Sequence, residues 1–261
     1  MDVLNIKNAD LVVNKDSSIL LRNINLTVKT GEIVLLSGVN GSGKSTLLKA
    51  LLSFSTTDDS EYAVLKSGTV LFCGEKSLKD ISTKIIYIDQ KDDPGKEYRI
   101  AEKVLLDGIP DFVKNKKEYL YNWLTKYDAL TKEDVNGIYN DNLGKKDKPI
   151  LKKRFMALSG GQKKWICILQ GILKSEIDGY KIALIDEPLN NLDARHIKQF
   201  NNLLLRILDK HPDFCFLIIS HCHAFTKISK LYEINENELI NKEYQTHNCF
   251  GAYDGSGYYK I

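Results

Sequence analysis

The sequence lacks any long apolar run. Its longest uninterrupted one, Phe214–Ile219, has six residues, whereas a helix that crosses a bilayer needs about 18 or more. The chain is therefore not expected to span a membrane by itself. No charged start followed by an apolar stretch and a small-residue cleavage site is present, so a secretory signal is not expected either. Paired thiols are also missing. The five cysteines, Cys73, Cys167, Cys215, Cys222 and Cys249, are odd in number and form no C-x-x-C pair. Three of them lie in apolar runs, where buried free thiols are common. This argues against a thiolate metal site or a disulfide framework, and for a reduced, intracellular setting. Charge of one sign is not in excess: 37 basic residues against 34 acidic ones leave a net +3, too balanced to argue for nucleic acid. There is no internal repeat and no low-complexity tract. What remains is a 261-residue chain, 43% hydrophobic, able to bury a core as one large domain or as one domain with an embedded subdomain.

Strand-length apolar runs occur at Ile33–Leu36, Ile85–Ile88, Ile182–Ile185 and Phe214–Ile219. Helical patterns separate most of them, as where Ile197, Phe200, Leu204, Ile207 and Leu208 recur along one face. Strands without polar alternation, interleaved with helices, predict a parallel sheet covered on both sides. Between Lys91 and Ala157 the chain turns rich in Lys, Tyr and Asp, with helical stretches such as Lys116–Tyr127 and no strong strand signal. That stretch reads as a helical insertion the size of a small subdomain. The aromatic, Gly-containing end from His247 to Ile261 suggests no role.

Gly38-Val39-Asn40-Gly41-Ser42-Gly43-Lys44-Ser45 matches G-x-x-x-x-G-K-[ST]. The apolar strand Ile33–Leu36 precedes it, and Thr46–Leu52 follows with Leu47, Leu48, Leu51 and Leu52 on one helical face. Glycines let the backbone curl so that successive N–H groups point at phosphates, and the helix N-terminus favours an anion. Lys44 is expected to reach the β- and γ-phosphates, and the Ser45 hydroxyl to ligate Mg²⁺. A Gly-rich turn that binds nothing does not account for strand, full motif and helix together. Asp186, at the end of Ile182–Ile185, stands where ligands of parallel sheets collect, and its carboxylate can hold Mg²⁺ directly or through water.

Leu158-Ser159-Gly160-Gly161-Gln162 chooses among phosphate-loop proteins. With the loop, it makes the chain resemble the ATP-binding cassette (ABC) ATPases, whose signature is LSGGQ. Other elements follow in that family's order. Gln90 comes after the run Ile85–Ile88, as the Q-loop glutamine does. Ile182–Asp186 with Glu187 and Pro188 is similar to the Walker B strand and its glutamate. Leu192-Asp193 resembles the D-loop, and Ser220-His221 the switch histidine.

The resemblance covers about residues 3–240. It implies an α/β P-loop NTPase with a mainly parallel sheet core, an N-terminal antiparallel β region and a helical subdomain. The ABC ATPase domain would occupy residues 1–240, with the helical subdomain at about 92–165, and residues 241–261 would form a tail. ATP and Mg²⁺ are the implied cofactors. By the same resemblance Glu187 is the general base, and His221 contacts the γ-phosphate and helps orient the attacking water. Gln90 serves catalysis and, with Ser45 and Asp186, the metal. Thr46 joins the loop residues around the nucleotide. Ser159, Gly160, Gly161 and Gln162 offer a second set of helix N-terminal donors. In the family such a set closes over the γ-phosphate held by the opposite subunit.

The implied partners are therefore a second ABC ATPase subunit and a separate transmembrane subunit, with no direct nucleic acid. The implied place is cytoplasmic, peripheral on the inner face of a membrane. The competing reading is a soluble ABC ATPase acting in translation or on DNA. Those usually carry two cassettes or long coiled coils in one chain, and neither is seen here.

The chain departs from the family in three places. Its first aromatic residue is Phe54, so no aromatic ahead of the loop can stack on adenine; that contact is left to Val12, Val13 or another subunit, and weaker base discrimination is expected. Lys163-Lys164-Trp165-Ile166-Cys167 replaces an arginine- and alanine-rich stretch. Lys145, Lys146, Lys148, Lys152, Lys153 and Arg154 make the insertion basic just before the signature. That suits a solvated loop, or a contact with a partner or an anionic surface.

Overall fold

Apolar runs without polar alternation are satisfied in a sheet covered on both faces, and the four runs all become β-strands of one, with Ile85–Ile88 at the end of its strand order. The structure is a computed structural model and describes residues 1–53, 63–74, 84–88, 96–136, 139–140, 145–146 and 148–244. Within these the chain runs β1 (Asp2–Val13), β2 (Ile19–Lys29), β3 (Ile33–Gly38), α1 (Lys44–Ser53), β4 (Ala63–Lys66), β5 (Thr69–Phe72) and β6 (Ile85–Ile88). A helical region follows: α2 (Ala101–Asp107), α3 (Lys116–Lys126) and α4 (Lys132–Asn136), with the two-residue strands β7 (Tyr139–Asn140) and β8 (Lys145–Lys146). The chain then continues through α5 (Gly160–Ile177), β9 (Ile182–Asp186), α6 (Ala194–Lys210), β10 (Cys215–Ile219), β11 (Lys230–Asn235) and β12 (Glu238–Lys242).

Strands β11, β3, β10, β9 and β6 lie side by side in that order, each parallel to its neighbours. β12 returns antiparallel on β11 through Glu236 and Asn237, both at positive φ, as a two-residue hairpin turn requires. The N-terminal half is antiparallel: β2, β4 and β5 all pair with β1. One parallel pairing, Glu238 with Arg22, joins the two halves. The expected α/β architecture, parallel core plus antiparallel N-terminal region, is what the chain adopts. β7 and β8 pair with each other in a stretch where no strand was expected. So short a hairpin leaves no periodic signal.

Alternation along the central strands sorts the core into two layers. Ile33, Leu35, Ala183, Ile185, Phe216 and Ile218 face α5, α6 and the helical region. Val34, Leu36, Ile182, Leu184, Leu217 and Ile219 face α1 and the antiparallel strands. Helix α6 buries Ile197, Phe200, Leu204 and Ile207, the predicted stripe. Helix α5 begins at Gly160, earlier than the apolar pattern alone would place it, because Ser159 and Gln162 form a capping box. The Ser159 hydroxyl accepts from the Gln162 N–H at 3.2 Å, and the Gln162 side chain accepts from the Ser159 N–H at 3.2 Å. Trp165 belongs to the core, fully buried, with its indole N–H donating to the Ala129 carbonyl at 3.1 Å. Packing thus accounts for the aromatic residue after the signature.

Among the described residues Cys73, Cys167, Cys215 and Cys222 are in no disulfide. Burial pushes the Cys215 thiol up, which keeps it protonated and unreactive. Cys249 and the rest of the C-terminal stretch beyond Tyr244 lie outside the described residues.

Glu176 anchors the helical region. Its carboxylate accepts from the Trp123 indole at 2.7 Å and from the Lys126 ammonium at 3.1 Å, and His211 Nε2 lies 3.0 Å away. Burial alone would raise its pKa, but these donors hold it below the ordinary carboxylate range. Glu176→Ala is expected to cost about 2–3 kcal/mol, because the buried Trp123 N–H loses its acceptor. A lower denaturant midpoint at unchanged slope would show it. A carboxylate with a depressed folded pKa stabilises above its unfolded pKa and loses that contribution as pH falls through the folded one. The gap between wild type and variant should therefore close in acid.

Candidate nucleotide site

β9 and β10 end level, and β3 runs two residues further between β10 and β11, into the loop. Ile219, the last residue of β10, pairs with Leu36 of β3 on one side and with Asp186 of β9 on the other. The register continues one residue further: the Ser220 N–H donates to the Leu36 carbonyl at 3.2 Å, and the Glu187 N–H to the Ile219 carbonyl at 2.9 Å. The loop after β3, the Asp186-Glu187 pair and the turn to His221 therefore open on one edge, the carboxyl end of a parallel sheet.

In the loop, Gly38 (φ 142°), Gly41 (φ 80°) and Gly43 (φ 99°) adopt backbone angles that favour glycine. Space is as limiting as angle at two of them. A Cβ on Gly38 would lie 2.8 Å from the Ile234 carbonyl oxygen, and one on Gly43 2.9 Å from a methyl of Leu20. Lys44 opens α1, is buried, and donates to the carbonyls of Gly38 and Val39 at 2.8 Å each, so it curls beneath its own loop. Burial lowers its pKa, opposed by the charges of Glu187 and Asp186. The Ser42 hydroxyl is buried without a hydrogen-bond partner. Val39, Asn40 and Gly41 are exposed at the tip, and Ser45 and Thr46 are half-buried in the first turn of α1, whose leading N–H groups have no intrahelical acceptors.

Asp186 is buried. Its Oδ2 accepts from the Tyr87 hydroxyl at 3.2 Å, while Oδ1 has no partner. A buried carboxylate oxygen left so is costly unless a cation completes it. With the Ser45 hydroxyl it would supply oxygen donors of the kind Mg²⁺ takes. Gln90, the third expected ligand, lies outside the described residues.

Glu187 has φ 48°, a left-handed conformation that costs a non-glycine residue roughly 1–3 kcal/mol. Three contacts hold it there. Its N–H bonds to Ile219, its carbonyl accepts from the Lys164 ammonium, and its carboxylate accepts from the His221 N–H at 3.4 Å. His221 Nε2 stands 3.2 Å from Glu187 Oε1 at ion-pair distance, without hydrogen-bond geometry. Burial raises the Glu187 pKa; His221 and Lys44 counter that, and Asp186 adds to it. The product is a more basic carboxylate than usual, which suits a proton acceptor.

The signature residues are not part of this edge. Ser159, Gly161 and Gln162 line a separate cavity of about 260 Å³ with Asn191, Asp193 and His196. Gly160 faces open space. A Cβ on Gly161 would fall well inside van der Waals contact with the Asn191 carbonyl oxygen. Gly161 therefore serves the approach of the D-loop-like turn, a role separate from offering donors to phosphate.

Sequence reading missed Tyr87, Lys164 and Leu20. Tyr87 had one signal, a hydroxyl in an apolar strand. His223 places Nε2 3.3 Å from the Ser37 hydroxyl just below the loop. Val12, in β1 opposite Ile19 and Val64, is 7% exposed, which leaves little of its side chain for adenine. Val13 is half-buried.

Residues 21–190 match the family model described as ABC transporter, a span that takes in the loop, the signature and the Asp186-Glu187 pair. The chain belongs to the ABC transporter family. This cassette is 28% identical, over 228 residues, to "Lipoprotein-releasing system ATP-binding protein LolD" of Rickettsia conorii (strain ATCC VR-613 / Malish 7), covering 85% of this chain and 89% of that one. It is 25% identical, over 248 residues, to "Probable ABC transporter ATP-binding protein p29" of Mesomycoplasma hyorhinis, covering 95% and 90%. Its fold matches that of cbiO1 from Clostridium perfringens, part of the ABC transporter complex cbiONQ, with TM-score 0.66, 19% identity and coverage of 92% and 87%. It also matches an ATP-binding cassette of an ABC transporter, with TM-score 0.67, 21% identity and coverage of 92% and 90%. The cassette's fold is thus that of ABC nucleotide-binding domains. Among its described residues, no helix is long and apolar enough to cross a membrane.

Proposed function

We propose that this chain binds and hydrolyses Mg²⁺-ATP and drives transport through a separate membrane subunit. The register of β3, β9 and β10 carries the reading, because it puts a phosphate loop, an orphaned Asp186 oxygen and the Glu187–His221 pair on one edge. The loop N–H groups and Lys44 would hold the β- and γ-phosphates. Ser45, Asp186 and Gln90 would hold Mg²⁺, which neutralises charge on the phosphate oxygens when bound. Glu187 would accept a proton from the attacking water, and His221, tied to it, would keep that carboxylate aimed.

Ser159, Gly160 and Gln162 lie apart from this edge and, in this proposal, serve the nucleotide of a second cassette. Two chains would then enclose two ATP molecules head to tail. Residues 1–240 would form the ATPase domain and about 92–165 its helical subdomain, the part that meets the membrane subunit at the inner face of the membrane. Exposed Tyr98 and Phe112 in that region offer apolar contact.

Affinity capture of a Glu187→Gln variant with ATP tests the assignment. Recovery of a dimeric cassette with a multi-spanning membrane protein is expected. Recovery of ribosomes or nucleic acid with no membrane protein would overturn it.

A further inference from the structure

The cavity beside Ser159 has a side-chain cluster at its floor that the nucleotide site does not use. His196, in the first turn of α6, is 5% exposed. Its Nδ1 lies 2.9 Å from Asp193 Oδ1, and its Nε2 stands 3.3 Å from Asp134 Oδ2 at ion-pair distance, without hydrogen-bond geometry. Asp193 caps α6 at the end of the D-loop-like turn, where its Oδ1 also accepts the His196 N–H at 2.9 Å. Asp134 belongs to α4, is 4% exposed, and accepts from the Thr131 N–H at 2.9 Å. From α5, the ring of Trp165 packs 5.7 Å from the imidazole, centroid to centroid. One side chain thus touches the helical region, the D-loop-like turn and the signature helix. The other charged groups facing the cavity are Lys148, Lys153 and Arg195, the last ion-paired to Asp193 at 3.1 Å.

An imidazole presents an N–H and a positive charge to both carboxylates only when both nitrogens carry protons. Burial by itself would lower the His196 pKa. Asp134 and then Asp193 outweigh it and raise the value above that of an ordinary histidine. The bridge's contribution is therefore complete below the unfolded histidine pKa and is lost as pH rises through the folded one. A neutral ring keeps a proton for only one of the two carboxylates.

We propose that His196 is a positioning residue which, as an imidazolium, fastens the D-loop-like turn to the helical region, so that the turn and the Ser159–Gln162 signature are presented to a second cassette as one unit. The contact of Gly161 with Asn191 already joins signature to turn, and His196 extends the tie to α4. This rests on the hydrolytic reading above. It adds a proton-dependent link between helical region and signature that neither the phosphate loop nor the Glu187 pair contains.

The two tryptophans, Trp123 and Trp165, permit a direct test. In a Trp123→Phe chain, Trp165 is the remaining indole, and a nearby imidazolium quenches indole emission. Its fluorescence should rise with pH around a midpoint above about 6.5, and Asp134→Asn should lower that midpoint. In the intact chain, His196→Gln should reduce kcat roughly fivefold with the KM for ATP little changed. It should also remove the His196 part of the alkaline decline in rate; the part due to Lys44 stays. Asp134→Asn should reproduce the kcat loss, and the double variant should be no worse than the poorer single one. Wild-type kcat and pH profile in both variants, or a Trp165 midpoint indifferent to Asp134→Asn, would overturn the proposal. A wild-type chain that binds ATP without turning it over would instead sink the hydrolytic reading, and the Trp165 titration would still decide the bridge.

Discussion

Glu187→Gln is expected to lower ATP turnover by about 10²–10⁴-fold, the usual weight of a positioned general base, while ATP affinity changes little. The amide keeps the size of the side chain and can still accept from the His221 N–H. The left-handed backbone is held by the Ile219 carbonyl and Lys164, which the substitution leaves in place. What disappears is the proton-accepting oxygen, whose basicity burial has raised. In the wild type, turnover should fall as pH drops through the Glu187 pKa, because the carboxylate must be ionised to accept a proton. Single-turnover hydrolysis with equilibrium ATP binding separates the two quantities. Loss of binding in step with turnover would show that Glu187 holds the site together instead of acting on water.

Gly161→Ala should both destabilise the chain and slow turnover. Its new methyl would enter the space of the Asn191 carbonyl, a backbone atom that cannot swing aside. Asn191 is itself left-handed, at φ 65°, so the turn has little freedom to adjust. Forcing a methyl into such a contact costs about 1–3 kcal/mol, and the turn that moves is the one carrying Asp193 and, through it, His196. We expect a lower unfolding midpoint and turnover reduced about tenfold or more, with ATP binding at the phosphate loop retained. Gly160→Ala is the control, since nothing lies within 4 Å of its would-be Cβ. That variant should fold as the wild type does and lose turnover only if a second cassette's phosphate closes on it. Equal stability of the two variants would contradict the packing role given to Gly161.

These two glycines show where sequence reading stops. Ser-Gly-Gly is the same text at both positions, and a donor set for phosphate was read into all of it. Only the fold shows that one glycine faces open space and the other a carbonyl from a distant turn. Tyr87 on Asp186 and Lys164 on the Glu187 carbonyl are of the same kind. Each joins residues whose proximity depends on the order of strands and the rotation of a helix, and neither is written into any local pattern.

The residues alone determined the phosphate loop, the opening of a helix at the signature, the buried strands and the stripe of α6. Those features depend on neighbours a few positions apart: successive N–H groups and a period of two or 3.6. The missing apolar runs determined that no membrane helix was to be expected. The tertiary structure decided what lay between elements. It set the register of β3, β9 and β10, left Asp186 Oδ1 without a donor, and buried Val12. It also set His196 between carboxylates from two different parts of the chain. Register and packing couple positions far apart in the sequence, and the energy that selects them belongs to the whole core and not to any one segment.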